Sequence, residues 1–280
     1  MKLPEVGMTE EQRYLFDTFG YFIVPKAISS VQVQQLRSTL HNGTEQFDPV
    51  AQEQGPLHWS EIWRDLIDLP NISPILEELV GNAVLTKGRT VRAKDGRQTL
   101  ASFRLDHLNI HTHIKQGYEG AVLHGGWQDT GGSQFFRYHD GRFYNGLVVV
   151  AIELFDTHPN DGGFCCIAGT HKSNLALPRD WADLSNGVHP CITRVPANAG
   201  DAIIFTEALT HGTLPWTADA TRKTLFYKFS PHATSWSADF FNPDDFRQYA
   251  DMDDRKLAIL EPPNARYWGR PSRPERTQRE

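Results

Sequence analysis

The sequence predicts a mainly β fold with helical additions: a jelly roll preceded by an N-terminal helical layer. Three observations predict it. From residue 83 to residue 230, short β-branched and aromatic runs alternate with Gly, Asp, Asn and Pro, the pattern of an antiparallel sandwich or barrel. About eight such runs suit two facing sheets. The first eighty residues carry helix-start signals instead. A chain of 280 residues, 39% hydrophobic and 22% charged, is long enough to bury one large core.

In chain order, Thr9 with Gln12 forms a capping box before Tyr14, Leu15 and Phe19, and Gly20 stops that helix. Tyr21 to Val24 reads as a short strand. Ser29 with Gln32 opens a second helix through Leu36 and Leu40. Asn71 is placed to cap a third, carrying Ile75, Leu76, Leu79 and Val80 and ending at Gly81. Asp95-Gly96 is a hairpin turn. Strands are expected at 99–110, 120–124, 146–155, 163–168, 191–196, 201–205 and 223–229, and a helix from Pro243. The expected organisation is a single domain over 1–240, with helices in 9–81 and the β core in 83–230. Residues 241–280 form an extension whose Arg- and Pro-rich end is partly disordered.

Composition narrows the function. With 28 basic and 34 acidic residues the net charge is -6, which disfavours a nucleic-acid polymer as partner. No run of eighteen apolar residues offers a spanning helix, and charges at Glu10, Glu11 and Arg13 interrupt any signal-like segment. Cys165, Cys166 and Cys191 cannot form a disulfide framework, so a cytoplasmic setting is expected. Cys165 and Cys166 alternate faces of a strand, so one at most is expected to point into the core.

Of the 12 histidines, two stand at strand ends beside glycine: His124, followed by Gly125-Gly126, and His211, followed by Gly212. Each alone reads first as a hydrogen-bonded loop or core residue. The motifs around them change that reading. Gln12-x-x-x-Phe16-x-x-x-Gly20-Tyr21-x-Ile23-Val24-Pro25 is followed by the block from Asp161 to Lys172 (DGGFCCIAGTHK). Ala199-Gly200-Asp201-x-x-Ile204-Phe205 then leads to Leu209-Thr210-His211-Gly212, and Arg222-x-Thr224 closes the series. In this order and spacing the chain resembles the phytanoyl-CoA dioxygenase family of iron(II)- and 2-oxoglutarate-dependent enzymes, from Thr9 to about Ser230.

The resemblance implies a double-stranded β-helix of the cupin-like kind. Two histidines and a carboxylate would hold iron, with positions left for 2-oxoglutarate and dioxygen. His124 and His211 match the metal ligands. Arg222 matches the arginine that pairs with the far carboxylate of 2-oxoglutarate, with Thr224 on the same strand face. An arginine in the apolar run Leu225-Phe226-Tyr227 fits an anion partner, against the alternative of an edge residue facing water. His171 matches a turn near the sheet end and reads as structural or supporting.

The departure from the family pattern is at the carboxylate. The residue two after His124 is Gly126, and neither Asp129 nor His139-Asp140 restores the spacing. In related halogenases a small residue at this position makes room for chloride, which His124-Gly125-Gly126 resembles. Three readings stay open: halogenation with chloride at Gly126, hydroxylation at an atypical iron site completed by water or by a remote carboxylate such as Asp129 or Asp140, and a catalytically silent metabolite-binding jelly roll.

The substrate is expected to be a small molecule. Between residues 87 and 104, six basic residues including Arg89, Arg92, Arg97 and Arg104 face a single acid, Asp95. This run reads either as a solvated strand face or as a clamp for a carboxylate- or phosphate-bearing metabolite. Arg104 would lie towards the pocket mouth. Trp127 and the aromatics from Phe135 to Tyr144 crowd the segment after His124, where a cover over the site is expected.

Overall fold

The computed structural model describes residues 7–43, 46–81, 101–113, 116, 121–126, 132–184 and 187–265. The chain begins with α1 (Glu10–Phe19), β1 (Tyr21–Val24), α2 (Ser30–His41), α3 (Pro49–Gln54), α4 (Pro56–Trp59), α5 (Glu61–Asp65) and α6 (Ser73–Leu79). Both capping boxes form: Thr9 Oγ1 accepts from Gln12 N–H at 3.1 Å, and Ser29 Oγ accepts from Gln32 N–H at 3.3 Å. Gly20 ends α1 in the left-handed region, with φ +82, where a Cβ would be strained. Asn71 does not cap α6. Its side-chain amide donates to the Ala27 carbonyl at 3.1 Å, tying the helical layer to the loop before α2, and α6 starts uncapped after Ile72.

The strands follow as β2 (Phe103–His113), β3 (Ala121–His124), β4 (Phe136–His139), β5 (Arg142–Asn145), β6 (Val148–Glu153) and β7 (Gly163–Ile167), then α7 (Arg179–Ala182), β8 (Thr193–Arg194), β9 (Ala202–Thr206), β10 (Thr210–Leu214), β11 (Arg222–Pro231) and α8 (Asp254–Ile259). The helix expected from Pro243 is one 3-10 turn, Pro243–Phe246, capped by Asn242. Among the described residues the strands form two larger antiparallel sheets, one in the order β1-β9-β6-β11-β2 and one in the order β3-β10-β7-β8, and a two-stranded β4-β5 sheet. Every residue of β6 is buried because the large sheet is covered on both faces. Val149, Ala151, Ile203, Phe205 and Phe226 meet Phe164 and Cys166 of the smaller sheet in the space between the sheets. On the opposite face Val148, Val150, Ile152, Tyr227 and Phe229 join Phe16, Leu36, Trp63 and Leu76 of the helices.

The segment beyond residue 240 contributes Phe246, Met252, Leu257, Ile259 and Leu260 to that same helical core. Ion pairs bind it there. The Arg64 guanidinium grips both Asp251 oxygens at 2.7 and 2.8 Å, and Lys256 reaches Asp65 at 2.7 Å. Such a fork adds geometric definition to the docking.

Cys165 and Cys166 are both fully buried, against the expectation of one. Cys166 faces the space between the sheets and Cys165 a third cluster with Leu123, Leu184, Ile192 and Leu214, so both faces of β7 are covered. Burial pushes the Cys165 thiol up to about 12. The aromatic segment after residue 132 forms the β4–β5 hairpin, turned by Asp140 and Gly141 with φ 53 and 73. Phe136 and Phe143 go into the core rather than over a site, while Tyr138 is exposed.

Candidate active site

His124 and His211 are direct partners across β3 and β10, with ring centroids 4.2 Å apart. The register slips between them and the next pair, Thr213 with Ala121, a bulge that aims side chains at a strand end. Each ring is held in the same manner. His124 Nδ1–H donates to the Val122 carbonyl at 3.0 Å, and His211 Nδ1–H donates to the Leu209 carbonyl at 2.7 Å. A carbonyl can only accept, so in the neutral form of each ring the lone pair lies on Nε2. Burial lowers His211 to about 4, with Glu207 acting in the opposite sense, and its imidazole is neutral at physiological pH.

Where position 126 offers no carboxylate, Glu207 places one beside the two histidines. His124, Glu207 and His211 each bring one ligand atom, all within 4.8 Å of one another. Glu207 sits in the turn between β9 and β10, with Oε2 3.7 Å from His211 Nε2 and Oε1 2.6 Å from Lys228 Nζ. Its burial acts to raise the carboxyl, but the electrostatic interaction with His211 and the ammonium and hydrogen bond of Lys228 outweigh that and hold it below its ordinary range. The signal for it was local: an acid inside the apolar run Phe205-Thr206-Glu207-Ala208-Leu209, four residues before His211.

The glycines after His124 explain how the turn comes so close. Gly125 and Gly126 have φ +80 and +72, and Gly126 N–H donates to the Ala208 carbonyl at 2.7 Å. A Cβ at Gly125 would lie 2.5 Å from the Leu209 carbonyl oxygen. At Gly126 it would lie 1.5 Å from Thr210 Oγ1 and 2.8 Å from Thr210 Cβ. Thr210 thus fills the space where the side chain of residue 126 would be.

Farther along the space between the sheets, Arg222 and Thr224 at the start of β11 meet Glu153 of β6. Arg222 Nη2 donates to Glu153 Oε1, and Thr224 Oγ1 donates to Glu153 Oε2 at 2.7 Å. Arg222 is 1% exposed, yet its Nε and Nη1 have no hydrogen-bond partner among the described residues. A Cβ at Gly163 would come within 3.2 Å of Arg222 Nε, so glycine is what lets the guanidinium lie against β7. Gly163 pairs with Leu214, three residues from His211. The arginine therefore stands about 10 Å from the histidines at roughly 3.3 Å per residue.

Two imidazole nitrogens and one carboxylate oxygen form a donor set suited to iron(II), and the two partnerless guanidinium nitrogens fit a carboxylate. Other expected residues lie elsewhere. Arg104 is buried, donating to Asp106 at 2.8 Å and to the Glu261 carbonyl at 3.1 Å, so it braces the C-terminal segment instead of opening to substrate. Asp140 is at the exposed β4–β5 turn, paired with His139, and away from the histidine pair. His171 is buried, bonded to the Asp17 carbonyl at 3.0 Å and edge-on to Phe136, a structural position. Arg89, Arg92, Arg97, Trp127 and Asp129 lie outside the described residues, as does the Asp95-Gly96 turn.

Residues 16–224 match the family described as phytanoyl-CoA dioxygenase. Among solved structures, HygX from Streptomyces hygroscopicus with iron bound is 25% identical, with TM-score 0.62 over 82% of this chain and 90% of that one. The same values hold for HygX with nickel, 2-oxoglutarate and hygromycin B. The 2-oxoglutarate-dependent carbocyclase SnoK of nogalamycin biosynthesis shares the fold at 15% identity and TM-score 0.53, over 81% of this chain and 85% of that one. No curated protein matches the chain significantly.

Proposed function

Because the chain belongs to the phytanoyl-CoA dioxygenase family and is an iron- and 2-oxoglutarate-dependent oxygenase by that membership, we propose that it oxygenates a C–H bond of a small molecule at a site formed by His124, Glu207 and His211. The observation that carries this reading is the convergence of those three ligand atoms within 4.8 Å. Iron(II) held there supplies dioxygen activation coupled to decarboxylation of 2-oxoglutarate to succinate.

The chain's own residues prepare that chemistry. The Val122 and Leu209 carbonyls engage Nδ1 of both imidazoles, so Nε2 of each is the atom that would hold iron(II). Lys228 occupies one oxygen of Glu207, so the other oxygen is the one that would hold iron(II). Arg222 Nε and Nη1 receive the distal carboxylate of 2-oxoglutarate, which orients its keto-acid end towards the histidines. The lining of Phe164, Phe205 and Phe226 keeps water from the inner part of the site.

Halogenation at His124-Gly125-Gly126 is the second reading. Its support is the glycine at 126; the position of Glu207 and the Thr210 side chain beside Gly126 favour oxygenation over it. HygX binds hygromycin B, which supports a small-molecule substrate here. A carboxylate or phosphate on that substrate remains proposed from the basic run at 87–104. The test is anaerobic titration with iron(II) and 2-oxoglutarate, followed by oxygen and a substrate screen with chloride exchanged for bromide. A weak visible charge-transfer band, succinate, and a product gaining oxygen regardless of halide support the proposal. A product whose mass follows the halide replaces oxygenation with halogenation; no band and no succinate mean a silent binder.

A further inference from the structure

We propose that the inner end of the site takes up one proton from solution when 2-oxoglutarate binds, because Glu153 has already neutralised the arginine that receives the cosubstrate. This rests on the reading of Arg222 as the carboxylate partner.

Among the described residues the inner cluster is buried and its charges balance. Arg222 and Glu153 are each 1% exposed, and Thr224 is fully buried. Both oxygens of Glu153 are used, one by Arg222 and one by Thr224. From β2, His113 stands opposite Arg222 and His111 opposite Thr224. Burial, then the charge of Arg222, lowers both imidazoles, His113 to about 4, so they are uncharged near neutrality. From β7, Cys166 faces the space between the sheets and Cys165 the other side of the strand, and burial holds both thiols protonated. On β11, Lys223 points the other way and donates to the Leu40 carbonyl, and Lys228 is paired with Glu207 at the metal end. Thr157, whose Cγ2 would lie 2.9 Å from a Cβ at Gly163, and Trp216 near His113 add a hydroxyl and an indole but no charge.

A second carboxylate can still pair with this guanidinium, because Arg222 Nε and Nη1 have no hydrogen-bond partner among the described residues. It would share one guanidinium with Glu153 and leave the buried cluster with one net negative charge. Two carboxylates in one buried site disfavour each other's ionisation, and an uncompensated buried charge is strongly unfavourable. A proton given up by the buffer acid and accepted within the cluster, by the carboxylate pair or a flanking imidazole, restores neutrality. Glu153 is thus a positioning residue that sets how 2-oxoglutarate affinity depends on pH. Wherever the proton resides, the excess charge originates with Glu153.

The experiment is calorimetric titration of the nickel-loaded full-length protein with 2-oxoglutarate, near neutral pH, in buffers of different ionisation enthalpy. The expected heat varies with buffer as for uptake of about one proton, and affinity falls about tenfold per pH unit on the alkaline side. Glu153→Gln, which keeps the shape and removes the charge, is expected to show no uptake, a flat pH profile and tighter binding than wild type above neutrality. As a control, 2-oxobutanoate carries the same keto-acid end without the distal carboxylate, and its heat should not depend on buffer. Buffer-independent heat for wild type overturns the proposal, as does full uptake retained by Glu153→Gln or equal uptake with 2-oxobutanoate. Failure of the nickel-loaded wild type to bind 2-oxoglutarate at all is a different result, which removes the cosubstrate reading itself.

Discussion

Gly126→Ala adds a single methyl group at the position where the family pattern has a carboxylate. The backbone there has φ +72, a conformation that costs an L-residue about 1–2 kcal/mol. The new Cβ would stand 1.5 Å from Thr210 Oγ1. Thr210 is buried in β10, β-branched, and accepts little rearrangement, so overpacking adds about 1–3 kcal/mol. Together the loss is about 2–5 kcal/mol. For a chain of this size that corresponds to a fall in Tm on the order of 5–15 °C. Urea unfolding of the metal-free protein is the appropriate assay, because bound metal would mask part of the loss by mass action. The steric part is isolated by a cycle with Thr210→Gly, for which a coupling of about 1–3 kcal/mol is expected. A Gly126→Ala variant within about 0.5 kcal/mol of wild type refutes the reasoning: position 126 would then be open space, as the halide reading requires.

Arg222→Ala is expected to raise the 2-oxoglutarate requirement at least about tenfold, given about 2–5 kcal/mol for an unpaired buried carboxylate, while iron stays bound; an unchanged requirement denies Arg222 that role. Lys228→Met should weaken the metal-free protein by about 3–5 kcal/mol because Glu207 is left buried and unpaired. Added iron(II) should restore more stability to this variant than to wild type, and equal thermal shifts would argue that Lys228 does not compensate Glu207. Asp106 accepts from His107 at 2.8 Å, from the Ser237 and Trp236 amides at 3.0 Å each, and from Arg104. Burial acts to raise Asp106, but these bonds hold it well below the usual carboxylate range. Its contribution is therefore present above an unfolded pKa of about 4 and is lost as pH falls towards the folded value. Asp106→Asn should be less stable near neutrality and lose less on acidification; parallel urea midpoints against pH for the two proteins would contradict this.

What was legible in the sequence was local or tied to order along the chain. The two capping boxes and Gly20 act within one turn of helix, and all three formed as expected. The strand runs emerged with shifted ends because pairing, not composition, decides where a ladder stops. That is why β2 reaches His113 opposite Arg222. Asn71 misled because its amide found a carbonyl 44 residues away in sequence, a tertiary contact that capping rules do not contain. The cysteine pair misled because one sheet face was assumed to meet solvent, whereas β7 is covered twice.

Within the site, the histidines were visible as strand-end residues beside glycine, and Glu207 was not. The search for a carboxylate followed spacing after His124, while the acid arrives from the facing turn. The left-handed glycine pair admits that turn to within hydrogen-bonding distance. The same glycines that suggested a vacancy are the reason a carboxylate can approach from the other side. Arg104 was misjudged for a related reason: its partners Asp106, Ser230 and the Glu261 carbonyl come together only when the C-terminal segment folds back over β2.

The central claim is that Glu207 completes the iron site, and anaerobic iron(II) binding by wild type, Glu207→Ala and His124→Ala tests it most directly. The expected result is one iron per chain in wild type, with affinity lowered on the order of 100-fold or more in both variants, since even supporting residues of metal ligands are worth about 10–100-fold. Iron held by Glu207→Ala as tightly as by wild type, while His124→Ala loses it, would contradict the claim and return the site to two histidines and an open position.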